Sequence, residues 1–233
     1  MTGVGMRARN AILGRIRDNL QRGPTDIDPI DVGPKKYEER IRPKRAQIPH
    51  ARQVDLFTTM VEEVDSTVAR VSTIDNVPNA IADFLAAYNL PARLVMAPDK
   101  RLEAIPWSRK PTLEVRRGIA EESDVVSVTP ALAGIAETGT IMVTSGAGTP
   151  TTLNFLPENH IVVLRESEVV GTYEDGWQLL RERNGRGDGK AIMPRTVNFI
   201  TGPSRTADIA MTLYLGAHGP RRLHIILVSD NDE

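Results

Sequence analysis

At 233 residues, with 40% of them hydrophobic and 25% charged, the chain has the composition of an ordinary globular protein and enough apolar side chain for a sizeable core. A formal net charge of −1 argues against a general nucleic-acid binder, and the absence of cysteine excludes disulfides, cysteine-ligated zinc, iron–sulfur clusters and c-type haem. No apolar run approaches the ~20 residues of a membrane span and no signal-peptide core opens the chain, so a soluble cytoplasmic protein is expected.

Residues 6–22 read as a short amphipathic helix with Ile12, Leu13, Ile16 and Leu20 on one stripe, ended by Gly23-Pro24. The acidic stretch Asp26–Gly33 and the basic, proline-marked stretch Lys35–His50 lack periodicity and read as loop and linker. Residues 1–50 are therefore expected to form an arm packing on a neighbouring subunit or partner, and residues 51–233 the compact domain. Val54, Phe57, Val61, Val64 and Val68 recur at three- and four-residue steps and predict a helix. A strand is expected at Thr67–Ser72, a helix from Pro78 to Tyr88, and a strand at Arg93–Ala97 stopped by Pro98. Further strands are expected at Asp124–Val128, Ala136–Ser145 and Ile161–Leu164. A short helix at Thr151–Leu156 and a longer one at Thr172–Arg183 follow the same reading, the latter running into the glycine-rich loop Asn184–Lys190. Strands alternating with helices predict an α/β fold, a largely parallel sheet with helices on both faces.

The stretch Asn198–Val228 carries the strongest punctuation. It reads as a strand ending at Ile200, a Gly202-Pro203 turn, a helix from an N-cap at Ser204 to Leu215, a glycine loop through Gly219-Pro220, and a final strand at Leu223–Val228. In such a βαβ unit, Gly202, Ser204, Arg205, Asp208, His218 and Arg221 sit in or beside loops, and a helix N-terminus at Ser204 offers unpaired N–H donors to an anion. The alternative is a well-capped unit with a solvated arginine pair, Arg221 and Arg222. Convergence of the two loops requires the second to fold back, because a ten-residue helix separates them by ~15 Å.

A second candidate is Ala136–Phe155. Glu137 beside the Thr138-Gly139 turn is placed to act as a nucleophile or base, or else to pair with an arginine. Gly146 and Gly148 in Ser145–Thr149 could cradle an anion with backbone N–H groups or form a simple turn, and Asn154 adds a polar group downstream. The Gly146-Ala147-Gly148 run lacks the third glycine of a dinucleotide fingerprint, no lysine follows a glycine loop as in a Walker motif, and Ser145 is not a nucleophile elbow. The four histidines, His50, His160, His218 and His224, show no paired zinc spacing. His224 alternates into an apolar strand and reads as structural; His218 is the better functional candidate.

Together AETGTIMVTSG (136–146), LNFLPENHIVVL (153–164), GPSRTADI (202–209) and LGAHGPRRLHIILV (215–228) resemble the lactate utilization protein C family, which carries the LUD domain. The resemblance covers the chain from about Ala51 onward. It implies a fold similar to that of ribose-5-phosphate isomerase, glucosamine-6-phosphate deaminase and the CoA transferases. It further implies participation in L-lactate oxidation to pyruvate alongside partner proteins, at least one bearing iron–sulfur clusters, which fits a chain without cysteine. Two functions follow: a non-redox component that binds a small anion or the iron–sulfur partners, or a stand-alone enzyme of CoA-transferase or sugar-phosphate isomerase type using Glu137. No cofactor is assigned to the chain itself, and a homo-oligomer is compatible with the arm.

Overall fold

The computed structural model describes residues 11–16, 18–19, 43–184, 193–206 and 214–230. The chain divides into two units, Met1–Lys35 and Lys36–Glu233. In the first, the described residues 11–16 and 18–19 are helical. The second holds the sheets.

Its helices are α1 (His50–Glu63), α2 (Val77–Ala87), α3 (Lys100–Glu103), α4 (Thr152–Phe155) and α5 (Tyr173–Arg183). Its strands are β1 (Thr67–Val71), β2 (Arg93–Met96), β3 (Glu114–Arg117), β4 (Val126–Pro130), β5 (Ala133–Ile135), β6 (Thr140–Thr144), β7 (Asn159–Arg165), β8 (Val169–Val170), β9 (Val197–Ile200), β10 (Arg205–Thr206), β11 (Tyr214–Leu215) and β12 (Arg222–Val228). Six of them form one sheet in the order β1-β12-β7-β4-β2-β3, every pair parallel. A second, four-stranded sheet runs β8-β5-β6-β9 and is mixed.

The apolar run of β12 is explained by burial on both faces. Leu223, Ile225 and Leu227 enter one core with Val162 and Leu164 of β7, whereas Ile226 and Val228 enter the opposite core with Ile161. Val54, Phe57 and Val61, one stripe of α1, join the first core together with Ile141 and Val143 of the smaller sheet. This helix thus ties the two sheets together. Gly139 makes the fit possible: at φ 62° its absent Cβ would lie 2.5 Å from the backbone of Met60 and Val61. On the other face of the large sheet, Val77, Ile81, Phe84 and Leu85 of α2 pack on the core holding Leu94, Met96 and Val128. Helix α5, started by a Thr172–Asp175 capping box, covers the smaller sheet through Leu180 against Ile135 and Met142.

Two expectations are corrected. Ala136–Ser145 is not one strand, because residues 136–139 turn between the antiparallel β5 and β6. The helix expected from Ser204 to Leu215 does not start at Ser204: Arg205 and Thr206 are extended and pair antiparallel with Leu215 and Tyr214, and residues 207–213 lie outside the described residues. Nor do the strands on either side form a βαβ unit, since β9 pairs with β6 in the smaller sheet and β12 lies in the larger.

Because the six strands are parallel, their carboxyl ends share one edge. The chain steps outward from β2 to β3 and then runs the other way from β4 through β7 to β12. Direction therefore reverses between β2 and β4, the position at which open α/β sheets leave a crevice.

Candidate functional site

A cavity of about 310 Å³ occupies this carboxyl edge. Its apolar floor comes from Ile74 after β1, Leu102 of α3, Pro130 ending β4, Val163 of β7 and Val228 ending β12. Lys100, Arg101, Arg165 and Glu168 supply the charged part of the lining. Each follows or ends a strand of the parallel sheet, so the topology alone brings them to one place.

Arg101 is held from three sides. Its Nε and Nη2 donate to the two carboxylate oxygens of Asp99 at 3.0 and 3.2 Å, and Nη1 donates to the Ala131 carbonyl at 2.8 Å. Burial pushes the Asp99 carboxyl upward, but the Arg101 fork and backbone N–H more than offset it and hold the group below its usual value. Glu168, 7% exposed, takes Arg183 Nη2 at 2.8 Å and stands 3.7 Å from Arg101 Nη1, while its other oxygen accepts the Arg165 N–H at 3.2 Å. Arg165 Nη1 lies 3.8 Å from Asp230. Among the described residues, Lys100 has neither an ion pair nor a hydrogen bond from its ammonium. The Trp107 indole N–H donates to the Leu102 carbonyl at 3.0 Å, buttressing the floor.

Four cations (Lys100, Arg101, Arg165, Arg183) thus meet three carboxylates (Asp99, Glu168, Asp230). Among the described residues one positive charge of this group is left over, on Lys100, which has no ion pair there. A carboxylate entering the cavity would meet that ammonium with its apolar part against the floor.

The residues singled out from the sequence lie elsewhere. Glu137, in the β5–β6 turn and 5% exposed, accepts the Tyr173 N–H at 3.2 Å, so its carboxylate sits on the first turn of α5 and pairs with no arginine among the described residues. Beside it, the hydroxyls of Thr138, Thr140, Tyr173 and Thr201 are linked at 2.6–3.1 Å. Gly146 closes a turn on Thr149, and a Cβ on Gly148 would come 3.2 Å from the Pro98 carbonyl, which places this turn against the segment leading to Asp99. Asn154 is buried in α4. Asp208 lies outside the described residues.

Gly202, Ser204, His218 and Arg221 do come together, at the amino end of β12. Ser204 N–H donates to the Pro220 carbonyl at 2.8 Å, Gly216 N–H to the Ser204 carbonyl at 2.9 Å, and His218 N–H to Ser204 Oγ at 3.2 Å. The hairpin, rather than a folded-back helix loop, makes this junction. Arg205 Nη1 pairs with Asp65 at 2.9 Å and Nη2 donates to the Val64 carbonyl at 3.2 Å, while Arg221 stands 3.7 Å from Glu158. Gly202, at φ 78°, abuts α1: a Cβ would lie 2.6 Å from the Val64 carbonyl.

Two histidines are buried neutral. Desolvation lowers His160 to about 3, with Nε2 2.7 Å from Thr129 Oγ1, and His224 to about 4, with Nδ1 2.8 Å from Thr67 Oγ1. The sequence reading passed over Asp99, Lys100, Arg101, Arg165, Glu168 and Arg183. Their signal was present: Pro98-Asp99-Lys100-Arg101 and Arg165-Glu166 put charges immediately after expected strands.

The LUD domain family matches residues 54–228 of the chain. A Geobacillus sp. (strain WCH70) lactate utilization protein C is 38% identical over 96 residues, 41% of this chain and 39% of that protein. The corresponding Exiguobacterium sp. protein is 34% identical over 147 residues, 60% of this chain and 62% of that one. The chain therefore aligns with less than two thirds of the length of either relative. A Macrococcus caseolyticus lactate utilization protein C aligns over 95% of this chain and 96% of its own length at 25% identity. Among solved structures, a DUF162 family protein from Deinococcus radiodurans superimposes with a TM-score of 0.59 at 26% identity, covering 78% of this chain and 99% of that one.

Proposed function

Since the chain belongs to the LUD domain family, we propose that it is a non-redox component of an L-lactate utilization system in the cytoplasm. In this reading it holds a small anion in the carboxyl-edge pocket and works beside iron–sulfur proteins that carry the electrons. The names of its relatives support the pathway. A chain without cysteine lacks the thiolates that ligate clusters, which supports delegating electron transfer to partners. The observation that carries the reading is the unspent Lys100 ammonium on an apolar-floored cavity.

The neighbouring groups prepare the site without occupying it. Asp99 and the Ala131 carbonyl fix Arg101, and Glu168 fixes Arg183, so the guanidinium plane is set before a ligand arrives. The stand-alone enzyme reading rests on Glu137, one of whose carboxylate oxygens accepts the Tyr173 N–H at the start of α5.

Two measurements test the proposal. Calorimetry on the purified chain should detect a monocarboxylate such as L-lactate, pyruvate or a longer homologue, and Lys100→Ala should weaken it by about tenfold or more, the effect of losing a charged hydrogen bond. Deletion of the gene should stop growth on L-lactate but not on glucose, with rescue by the wild-type chain. Normal growth on L-lactate after deletion, or equal anion affinity in wild type and Lys100→Ala, would overturn it.

A further inference from the structure

The same cavity carries more than a charge. A volume of about 310 Å³ is the room of about ten water-sized groups, at about 30 Å³ each. A three-carbon hydroxy acid has six heavy atoms and fills little more than half of it. Nothing on the floor answers a hydroxyl: Ile74, Leu102, Pro130, Val163 and Val228 present hydrocarbon. Leu102, Pro130 and Val228 are buried already, and a lactate-sized ligand held at Lys100 would leave the half-buried Ile74 and Val163 uncovered.

The charges around the cavity select in the other direction. Both Glu168 oxygens are taken, by Arg183 and by the Arg165 N–H, and both Asp99 oxygens by Arg101. Among the described residues the spare charge is one, on Lys100. A second carboxylate on the ligand would meet no further unpaired cation among them and would lie on hydrocarbon or near the Glu168 carboxylate, which is costly for a desolvated charge.

Resting on the reading of this pocket as an anion site, we infer that its occupant is a monocarboxylate longer than lactate, with an unsubstituted apolar body of about six to eight carbons. The carboxylate pairs with Lys100 and the body covers the floor. The component then senses or handles a second acid rather than lactate itself.

Calorimetry with straight-chain monocarboxylates of three to ten carbons decides it, run with the eight-carbon dicarboxylate on the wild type, Lys100→Ala and Ile74→Ser. Thermal melts of the variants check that each is folded. Affinity should rise about two- to fourfold per methylene up to about eight carbons and then level off, as expected for methylenes leaving water. The dicarboxylate should bind at least tenfold more weakly than octanoate. Lys100→Ala should lower octanoate affinity about tenfold at unchanged chain-length slope, and Ile74→Ser should flatten the slope. Tightest binding of three-carbon acids, or of the dicarboxylate, overturns the inference while leaving the anion site standing. A length dependence untouched by either variant is adsorption and also overturns it. No binding of any acid to the wild type removes the anion site as well.

Discussion

The two edges of the parallel sheet use similar residues to opposite ends. At the amino edge, Arg205 is bound to Asp65 and Val64, Arg221 stands by Glu158, and Ser204 makes three hydrogen bonds to the 216–220 loop. There the polar groups knit chain to chain. At the carboxyl edge, Arg101, Arg165 and Arg183 are also paired, but Lys100 is left over beside a cavity. Charged residues in loops mark both edges, and the balance of partners among the described residues differs between them.

Acid should strike the amino half hardest. His160 and His224 lie near the starts of β7 and β12 and are neutral in the fold, at about 3 and about 4, against about 6.5 in the unfolded chain. The folded values are depressed, so the unfolded chain binds the extra protons. Stability is complete above about pH 6.5 and falls as pH drops toward the folded values, with each histidine costing about 2 kcal/mol between pH 7 and pH 5. Urea melts at the two pH values measure this, and His160→Gln should remove about half of the pH dependence. A flat profile would mean that the imidazoles are not sealed from water.

Gly202→Ala should come next, at about 3 kcal/mol, from a left-handed residue with a Cβ forced onto the Val64 carbonyl. Chemical denaturation reads it, and a neutral outcome would show that the junction gives way freely. On the other edge, Glu168→Gln strands Arg183 and unbalances Arg101, at about 2 kcal/mol once the half-exposed arginines are allowed for. It should also raise affinity for dicarboxylates by removing the negative charge nearest the floor. The smallest stability effect belongs to Lys100→Ala, within ~0.5 kcal/mol of wild type. A residue that costs almost nothing to remove from the fold yet weakens anion binding is what separates the two edges; a large drop in melting temperature would erase the contrast.

Much of the fold was legible because burial leaves a periodic trace. The α1 stripe Val54, Phe57 and Val61 and the unbroken apolar runs of β7 and β12 show it directly. The smaller sheet was not legible, since β5 and β8 have three and two residues and are defined by pairing rather than by pattern. The helix expected from Ser204 failed for the same reason: cap and turn residues are local, whereas the bonds of Arg205 and Thr206 go to residues eight to ten positions away. Applying the rule that ligands collect at carboxyl ends of strands needs the strand order. Sequence places Ser204 and Lys100 alike beside a strand, and only the topology shows that they sit at opposite edges.

The indole of Trp107 gives this molecule an optical handle. The chain has two tryptophans; Trp177 of α5 packs edge-on against Phe199 at 5.5 Å between ring centroids, whereas Trp107 donates to the carbonyl of a floor residue. A Trp177→Phe chain, excited at the red edge of tryptophan absorption, would emit from a single tryptophan hydrogen-bonded to the pocket wall. Filling the cavity would then be visible as a shift in the colour and intensity of that one emitter, in real time and without a label, and opening of the smaller sheet would be invisible to it. The reverse variant, Trp107→Phe, would watch only the sheet.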